Sequence, residues 1–462
     1  MSKKIFVLFF SLCFVFSYAQ NVLSDKIENA EKEDVLDEMQ EKKAIILYGL
    51  DSELINLIKE LKEKEDDRFN DELVLVFQKT KSTALKIAII DFFASRKLNS
   101  LDSFVLEMLG NLDDYKVGEI NASLYYAGEN ALKDAIPNIL SIIENERFEF
   151  AEGAVKALGK IGGESEALAL IDFYQNNVAT VNDDKKEVIL KEAVMQALEN
   201  ISFDECLSFL MEVVEDENEN VIVRSLAISA LSKIQSEDVF TNLVSLYYSQ
   251  EPLIRAASVK AISKFDRAEA REVILQACRD SQYKVRKEAI DAINFTSNDA
   301  CEHLLYRAKM DPEMSIRTLS VEKLVALNCS ASDEWMLKTF NDDNANVSLR
   351  VKIAKELLEH RLEFIIKDVE RVAIKAVSSN REKKLASELG RVIAKIKTDS
   401  TSKIAEHYIK SKDVLIKTLG LDMFSLNRYS SVIPLVDEIK NDPKAGALQK
   451  RAIFLLKGGQ VD

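Results

Sequence analysis

Five segments of the chain set an aliphatic residue directly before an arginine: Val223-Arg224, Ile254-Arg255, Val285-Arg286, Ile316-Arg317 and Leu349-Arg350. The arginines are spaced by 31, 31, 31 and 33 residues. Four residues beyond each stands Ile228, Val259, Ile290, Val321 or Ala354. Seven beyond stands Leu231, Ile262, Ile293, Leu324 or Leu357. Offsets of four and seven place these side chains on one face of a helix. A period in the low thirties built from such stripes predicts stacked helix pairs, in which each unit buries its apolar face only against its neighbours. The phase continues more weakly at Lys86, Gly118, Ala151, Lys191, Glu382, Lys412 and Gln449.

Polar punctuation divides each period into two helices. Six residues before the arginines stand Asn218, Ser249, Asp280, Asp311 and Asn344, short side chains suited to accept from free helix N–H groups. Pro312 would then occupy the first helical position, where proline is tolerated. A second set, Ser202, Ser236, Asp266, Ser297 and Ser332, is expected to cap an intervening helix, with capping boxes at Ser202/Glu205 and Asp266/Glu269. After Ser236 the buried stripe is expected at Val239, Phe240, Leu243, Val244 and Tyr247. The arginine helix is taken as the first of each pair and the intervening helix as the second. Gly159 to Gly163 closes one helix and reads as a C-cap and turn rather than a phosphate loop.

The pattern predicts an all-α chain, a right-handed α-solenoid (superhelix) of about twelve helix pairs. Its expected divisions are a signal peptide over 1–19, a charged lead-in or cap helix over 20–42 and degenerate repeats over 43–144. Regular repeats follow over 145–360, degenerate repeats over 361–457 and a tail over 458–462. A polar insertion, Gln175 to Lys186, stretches one period. The scarcity of breakers, 13 Gly and 5 Pro in 462 residues, suits helices joined by short turns.

Charge narrows the choice of partners. A formal net charge of −15 makes nucleic acid a poor default, since phosphate binding needs a basic groove. The first residues have the layout of a secretory signal. Lys3 and Lys4 precede an apolar run from Ile5 to Phe16, and Ser17-Tyr18-Ala19 puts small residues where a signal peptidase reads. That run is too short to span a bilayer as a helix. Cleavage before Gln20 would remove two lysines and no acid, moving the charge from −15 to −17. A periplasmic destination is expected, with full secretion as the other outcome of export, and no membrane span in the mature chain.

The runs from Val223-Arg224 to Leu231, from Ile254-Arg255 to Ile262, and from Asp280 through Val285-Arg286 to Ile293 resemble HEAT repeats of the short bacterial, bilin-lyase-like type. The likeness implies that second helices line a concave side. It also implies that acidic and arginine positions form a ladder between repeats. Only Asp280 and Asp311 keep the acidic position; Asn218, Ser249 and Asn344 stand in the others. The five arginines are therefore read as structural repeat anchors rather than ligand contacts.

Little points to chemistry. Glu302-His303, Glu359-His360 and Glu406-His407 invite comparison with the His-Glu iron pairs of some HEAT-fold enzymes. Here the order is reversed, and the pairs fall at different places in the repeat. No metal or other cofactor is expected. After signal removal four cysteines remain, with no Cys-x-x-Cys spacing. Cys206 and Cys301 fall on core positions, and Cys301 with Cys329 is a candidate disulfide at one end of adjacent repeats. Tyr248 and Tyr306 leave the buried stripe of their helices and are candidate partner contacts. Trp335 is read as core. The expected function is an exported scaffold or adaptor that binds a protein or peptide along the concave surface of the second helices. The alternative is a HEAT-fold enzyme or cofactor handler, hydroxylase-like or bilin-lyase-like.

Overall fold

The computed structural model describes residues 38–458. The signal segment, most of the charged lead-in and nearly all of the tail lie outside them. Every regular element among the described residues is helical. The chain divides into two compact units at Ile234/Gln235, inside the stretch of most regular repeats.

In the first unit a helix over 38–48 and the helix Asp51–Glu63 precede five pairs. Three of these carry the argument below: Asp102–Gly110 with Val117–Glu129, Ile136–Glu144 with Phe148–Ile161, and Glu164–Asp172 with Asp184–Ile201. The second unit holds seven pairs, beginning Glu237–Leu246 with Pro252–Ile262 and Ala268–Ala277 with Tyr283–Ala292. Asn298–Met310 with Met314–Ala326 and Asp333–Asn341 with Val347–His360 follow. The total fits the expected count of about twelve.

The apolar stripe behaves as its spacing requires. Val223, Ile254, Val285, Ile316 and Leu349 are sealed from solvent, as are all the residues four and seven beyond the arginines. A stripe that wide must pack on its own partner and on both neighbours, which is what locks one pair to the next.

Pairing differs from the sequence expectation by one helix. Of the two intervening helices beside it, each of the first four arginine helices packs more extensively on the one that precedes it, so it is the second member of its pair; Val347–His360 packs on both. Within the second unit successive arginine helices, from Pro252–Ile262 to Val347–His360, lie against one another along their length, as do Val117–Glu129, Phe148–Ile161 and Asp184–Ile201 in the first, whereas successive intervening helices mostly touch at few points. A stack that is tighter on one side bends toward that side. Within each unit the arginine helices therefore form the inner face, and the expectation that the intervening helices line the concave side is reversed.

The caps explain the misassignment. Asp280, Asp311 and Ser249 do not cap helices directly. Each accepts from the N–H two residues on, at 2.8, 3.0 and 3.2 Å, turning the chain so that the helix starts later. The helix boundary residues are Asn220, Glu251, Gln282, Glu313 and Asn346, of which Asn220 and Asn346 cap with their side chains. Pro312 consequently stays in the turn, and Pro252 takes the first helical position instead. Ser236 and Ser297 cap as expected. Ser202 ends the previous helix in the left-handed region, and Arg267 rather than Asp266 opens its helix, so neither capping box forms.

Gly162 ends its helix in an extended conformation, not as a left-handed C-cap. The glycine that geometry requires is Gly159. A Cβ there would stand 2.6 Å from Ala197 Cα, so two inner helices meet at backbone contact. The polar insertion folds as a π-helical turn, Phe173–Asn177, and a short 3-10 turn. Tyr174 holds it to the next pair by donating to Glu219 at 2.7 Å.

Candidate functional site

The arginines occupy the seam between layers. Arg255 reaches back to the carbonyls of Ser249 and Gln250, and Arg286 to those of Asp280 and Ser281. Arg224, Arg317 and Arg350 donate to the carbonyls of Val214, Ala308 and Phe340 at the ends of the preceding helices. The last three carbonyls have no partner within their own helix, so Arg224, Arg317 and Arg350 each close a helix C-terminus, while Arg255 and Arg286 hold the turn beyond it.

Remaining donors run forward to the next pair. Arg255 binds Asp280 at 2.8 and 3.0 Å, Arg286 binds Asp311 at 2.7 and 2.8 Å, and Arg350 meets Glu382 at 3.3 Å. Lys191–Glu219 at 2.8 Å extends the same cation-to-next-acid relation into the less regular repeats. The ladder is longer than Asp280 and Asp311 alone imply. Burial works against the charge of Asp311, but the Arg286 hydrogen bonds, the Glu313 N–H and the charges of Arg286 and Arg307 outweigh it and lower its pKa. Asp280 follows the same balance, with Arg255 as its main partner. Arg224, Arg286 and Arg350 are buried, and Arg255 and Arg317 partly so, with their donors turned to the chain's own carbonyls and carboxylates.

The inner face of the first unit carries a groove of about 380 Å³ over three consecutive inner helices, Val117–Glu129, Phe148–Ile161 and Asp184–Ile201. Gly128, Gly153, Ala157, Ala193 and Ala197 contribute small side chains to its lining. These residues let the helix backbones come close: a Cβ on Gly128 would lie 3.3 Å from Ala157 Cα. Tyr125 stands at one wall with the Lys160 ammonium 5.5 Å from its ring. Lys156 and Lys160 are each paired with a glutamate, Glu152 and Glu129, so the walls carry little uncompensated charge. The carboxamides of Asn121, Gln196 and Asn200 also line the groove and make no hydrogen bond within the described residues. Carboxamides that both donate and accept suit a peptide backbone or polar side chains.

Sequence reasoning missed these residues. The available signal was glycine in helix interiors, Gly128, Gly153 and Gly159, each costing about 1 kcal/mol of helix propensity that close packing must repay.

Tyr248 and Tyr306 lie on the outer layer, 61% and 56% exposed. Tyr248 rests against Tyr247, ring centroids 5.0 Å apart. Tyr306 lines a separate cleft with Arg279, Glu302, His303 and Arg307. Trp335 is only partly buried, with the Lys309 ammonium 5.9 Å from its ring; its neighbour Met336 takes the core position. Cys301 and Cys329 are placed as a disulfide pair with Cα atoms 5.6 Å apart. Cys206 and Cys278 are buried and free, and burial pushes their thiols up to about 11 and about 12.

The three histidines sit on three different helices. His303 and His407 each use Nδ1 to donate to a carbonyl one turn back, both at 2.8 Å. His360 joins Glu356 and Glu359 in a cluster with ligand atoms within 4.8 Å of one another, a spacing a cation could use. Glu356 is already engaged by Lys352 at 2.7 Å, which leaves that cluster a weak ligand set. No helix among the described residues is long and apolar enough to cross a membrane.

Comparison with solved structures finds the crystal structure of Kap121p, with 11% identity over 90% of this chain and a TM-score of 0.40. The chain covers 52% of Kap121p, about half its length. The structure of the Pds5–Scc1 complex matches with 14% identity over 89% of both chains and a TM-score of 0.33. No curated protein matches. The family model described as Spirochaete HEAT repeat protein matches residues 46–454, almost the whole described chain, and the protein belongs to that family.

Proposed function

We propose that the protein is an exported scaffold that binds a protein or peptide along the inner face of its arginine helices. The groove of the first unit carries this reading. It is broad, floored by small residues and nearly charge-compensated, and it offers three carboxamides with no partner among the described residues. Such a surface recognises shape and backbone rather than performing chemistry. Export rests on the signal-like segment before Gln20 and on the Cys301–Cys329 placement, which suits an oxidising compartment. A periplasmic location follows most simply from these two features, with secretion the other route.

Photocrosslinking from position 125 tests the reading. A benzoylphenylalanine there, in cells, should give a discrete polypeptide adduct. Gln196→Trp fills the groove from an exposed position and should abolish that adduct without changing the thermal melt. If no adduct forms, or if it persists undiminished in Gln196→Trp, the inner groove is not the binding surface.

A further inference from the structure

Because the outer helices are spread apart, clefts open between them. One cleft, of about 510 Å³, is lined by Arg279, Glu302, His303, Tyr306 and Arg307. Arg279 follows the end of Ala268–Ala277, and the other four come from one face of the next outer helix, Asn298–Met310, at offsets of one, four and five. We propose that this cleft binds a single oxyanion, a carboxylate or a phosphate, separately from the inner groove.

The arginines carry the argument. Arg279 is exposed, and its side chain has no hydrogen bond or ion pair within the described residues. Arg307 touches Asp311 only once, at 3.3 Å, because Arg286 already holds both oxygens of that carboxylate. Most of the Arg307 donors are therefore free for another acceptor. Its guanidinium carbon lies 5.0 Å from the centroid of the Tyr306 ring, which limits its freedom. Guanidinium groups bind carboxylate and phosphate in planar, bidentate fashion, so two of them facing one cleft select oxyanions. His303 donates its Nδ1 proton to the Asp299 carbonyl, leaving Nε2 as the ring's remaining polar atom. Within the lining two arginines stand with one carboxylate, Glu302, a local positive excess in a chain of net charge −15. Cys301 stands on the same helix, two residues before His303, and its pairing with Cys329 ties that helix to the turn after Met314–Ala326.

The chain has only three histidines, so imidazole proton–carbon NMR can report on His303 directly, with His303→Gln giving its assignment. Titration with inorganic phosphate, and separately with a capped tetraglutamate peptide, should move the His303 signal saturably while those of His360 and His407 stay still. A response to phosphate identifies a free-anion site, and a response to the peptide alone identifies one built for acidic side chains; either supports the proposal. Arg279→Ala removes an exposed, unpaired side chain and should leave the melt unchanged while weakening binding at least about tenfold, with Arg279→Lys recovering part of it. No saturation below about 10 mM with either probe, or equal binding by Arg279→Ala, would overturn the assignment.

Discussion

Arg286 lays its guanidinium flat against Asp311 of the next helix pair, Nε at 2.7 Å from one oxygen and Nη2 at 2.8 Å from the other. Both side chains are almost fully withdrawn from solvent. A buried pair of this kind stabilises mainly because neither charge can be left alone. Asp311→Asn should therefore destabilise the second unit by about 3–5 kcal/mol, measured by denaturant unfolding. Asp280→Asn should cost less, since Arg255 is more exposed than Arg286. Similar losses for the two variants would argue against burial as the controlling variable.

The same carboxylates fix the direction of the acid response. Asp280 and Asp311 have folded pKa values below the ordinary 3.8, because their arginine partners outweigh the cost of burial. A depressed carboxylate contributes stability that is present above its unfolded pKa and is lost as pH falls through the folded value. Melting temperature should thus fall below about pH 4, and Asp311→Asn should flatten that fall. An unchanged pH profile in Asp311→Asn would remove this pair from the acid response.

Gly159 gives a prediction opposite to helix propensity. Glycine to alanine in a helix interior ordinarily stabilises by about 1 kcal/mol. At Gly159 the new methyl would stand 2.6 Å from Ala197 Cα, and backbone cannot move aside cheaply. Gly159→Ala should destabilise by about 1–3 kcal/mol. At Gly163 the nearest atom is the end of the Glu166 side chain at 3.6 Å, so Gly163→Ala should be near neutral. Thermal melts of the two variants side by side test the backbone contact.

Much of this fold was legible because solenoid repeats are local. The offsets of four and seven from Arg224 to Arg350 mark residues that are all buried, since a helical stripe needs no distant information to be read. The order of helices within a pair was not legible. Asp280 and Asp311 look like N-caps in sequence, yet they turn the chain two residues before the helix and serve the preceding repeat's arginine. That dual role exists only after the repeats stack. The inner groove was hidden for a related reason. Gly128 and Ala157 look unremarkable separately, and their meaning appears when Val117–Glu129 lies against Phe148–Ile161. Tyr306 leaves the stripe of its helix in the sequence alone, but the layer it occupies depends on the pairing.

The Cys301–Cys329 placement gives a count. In denatured, unreduced protein lacking residues 1–19, and with them Cys13, alkylation should label two thiols, Cys206 and Cys278, and reduction should expose two more. In the folded state those two should react slowly even at pH 8, because burial holds both thiols protonated, with pKa values of about 11 and about 12. The bond closes a 28-residue separation, so Cys301→Ser with Cys329→Ser should lower stability by about 3–4 kcal/mol. Four labelled thiols without reductant, on protein isolated from its native compartment, would exclude the bridge and weaken the case for export.

The arginine row predicts that equal positions are unequal in energy. Arg317 makes one hydrogen bond, to the Ala308 carbonyl at 3.0 Å, and has no carboxylate partner among the described residues. Arg286 makes four, two of them to a buried carboxylate. Lysine keeps the charge but cannot reproduce the planar fork. Arg317→Lys should therefore cost under about 1 kcal/mol, the range of a single neutral-acceptor bond. Arg286→Lys should cost at least about 2 kcal/mol, because Asp311 would keep a point charge and lose its bidentate partner. Urea midpoints at matched slope decide between this ordering and a row in which every repeat contributes alike.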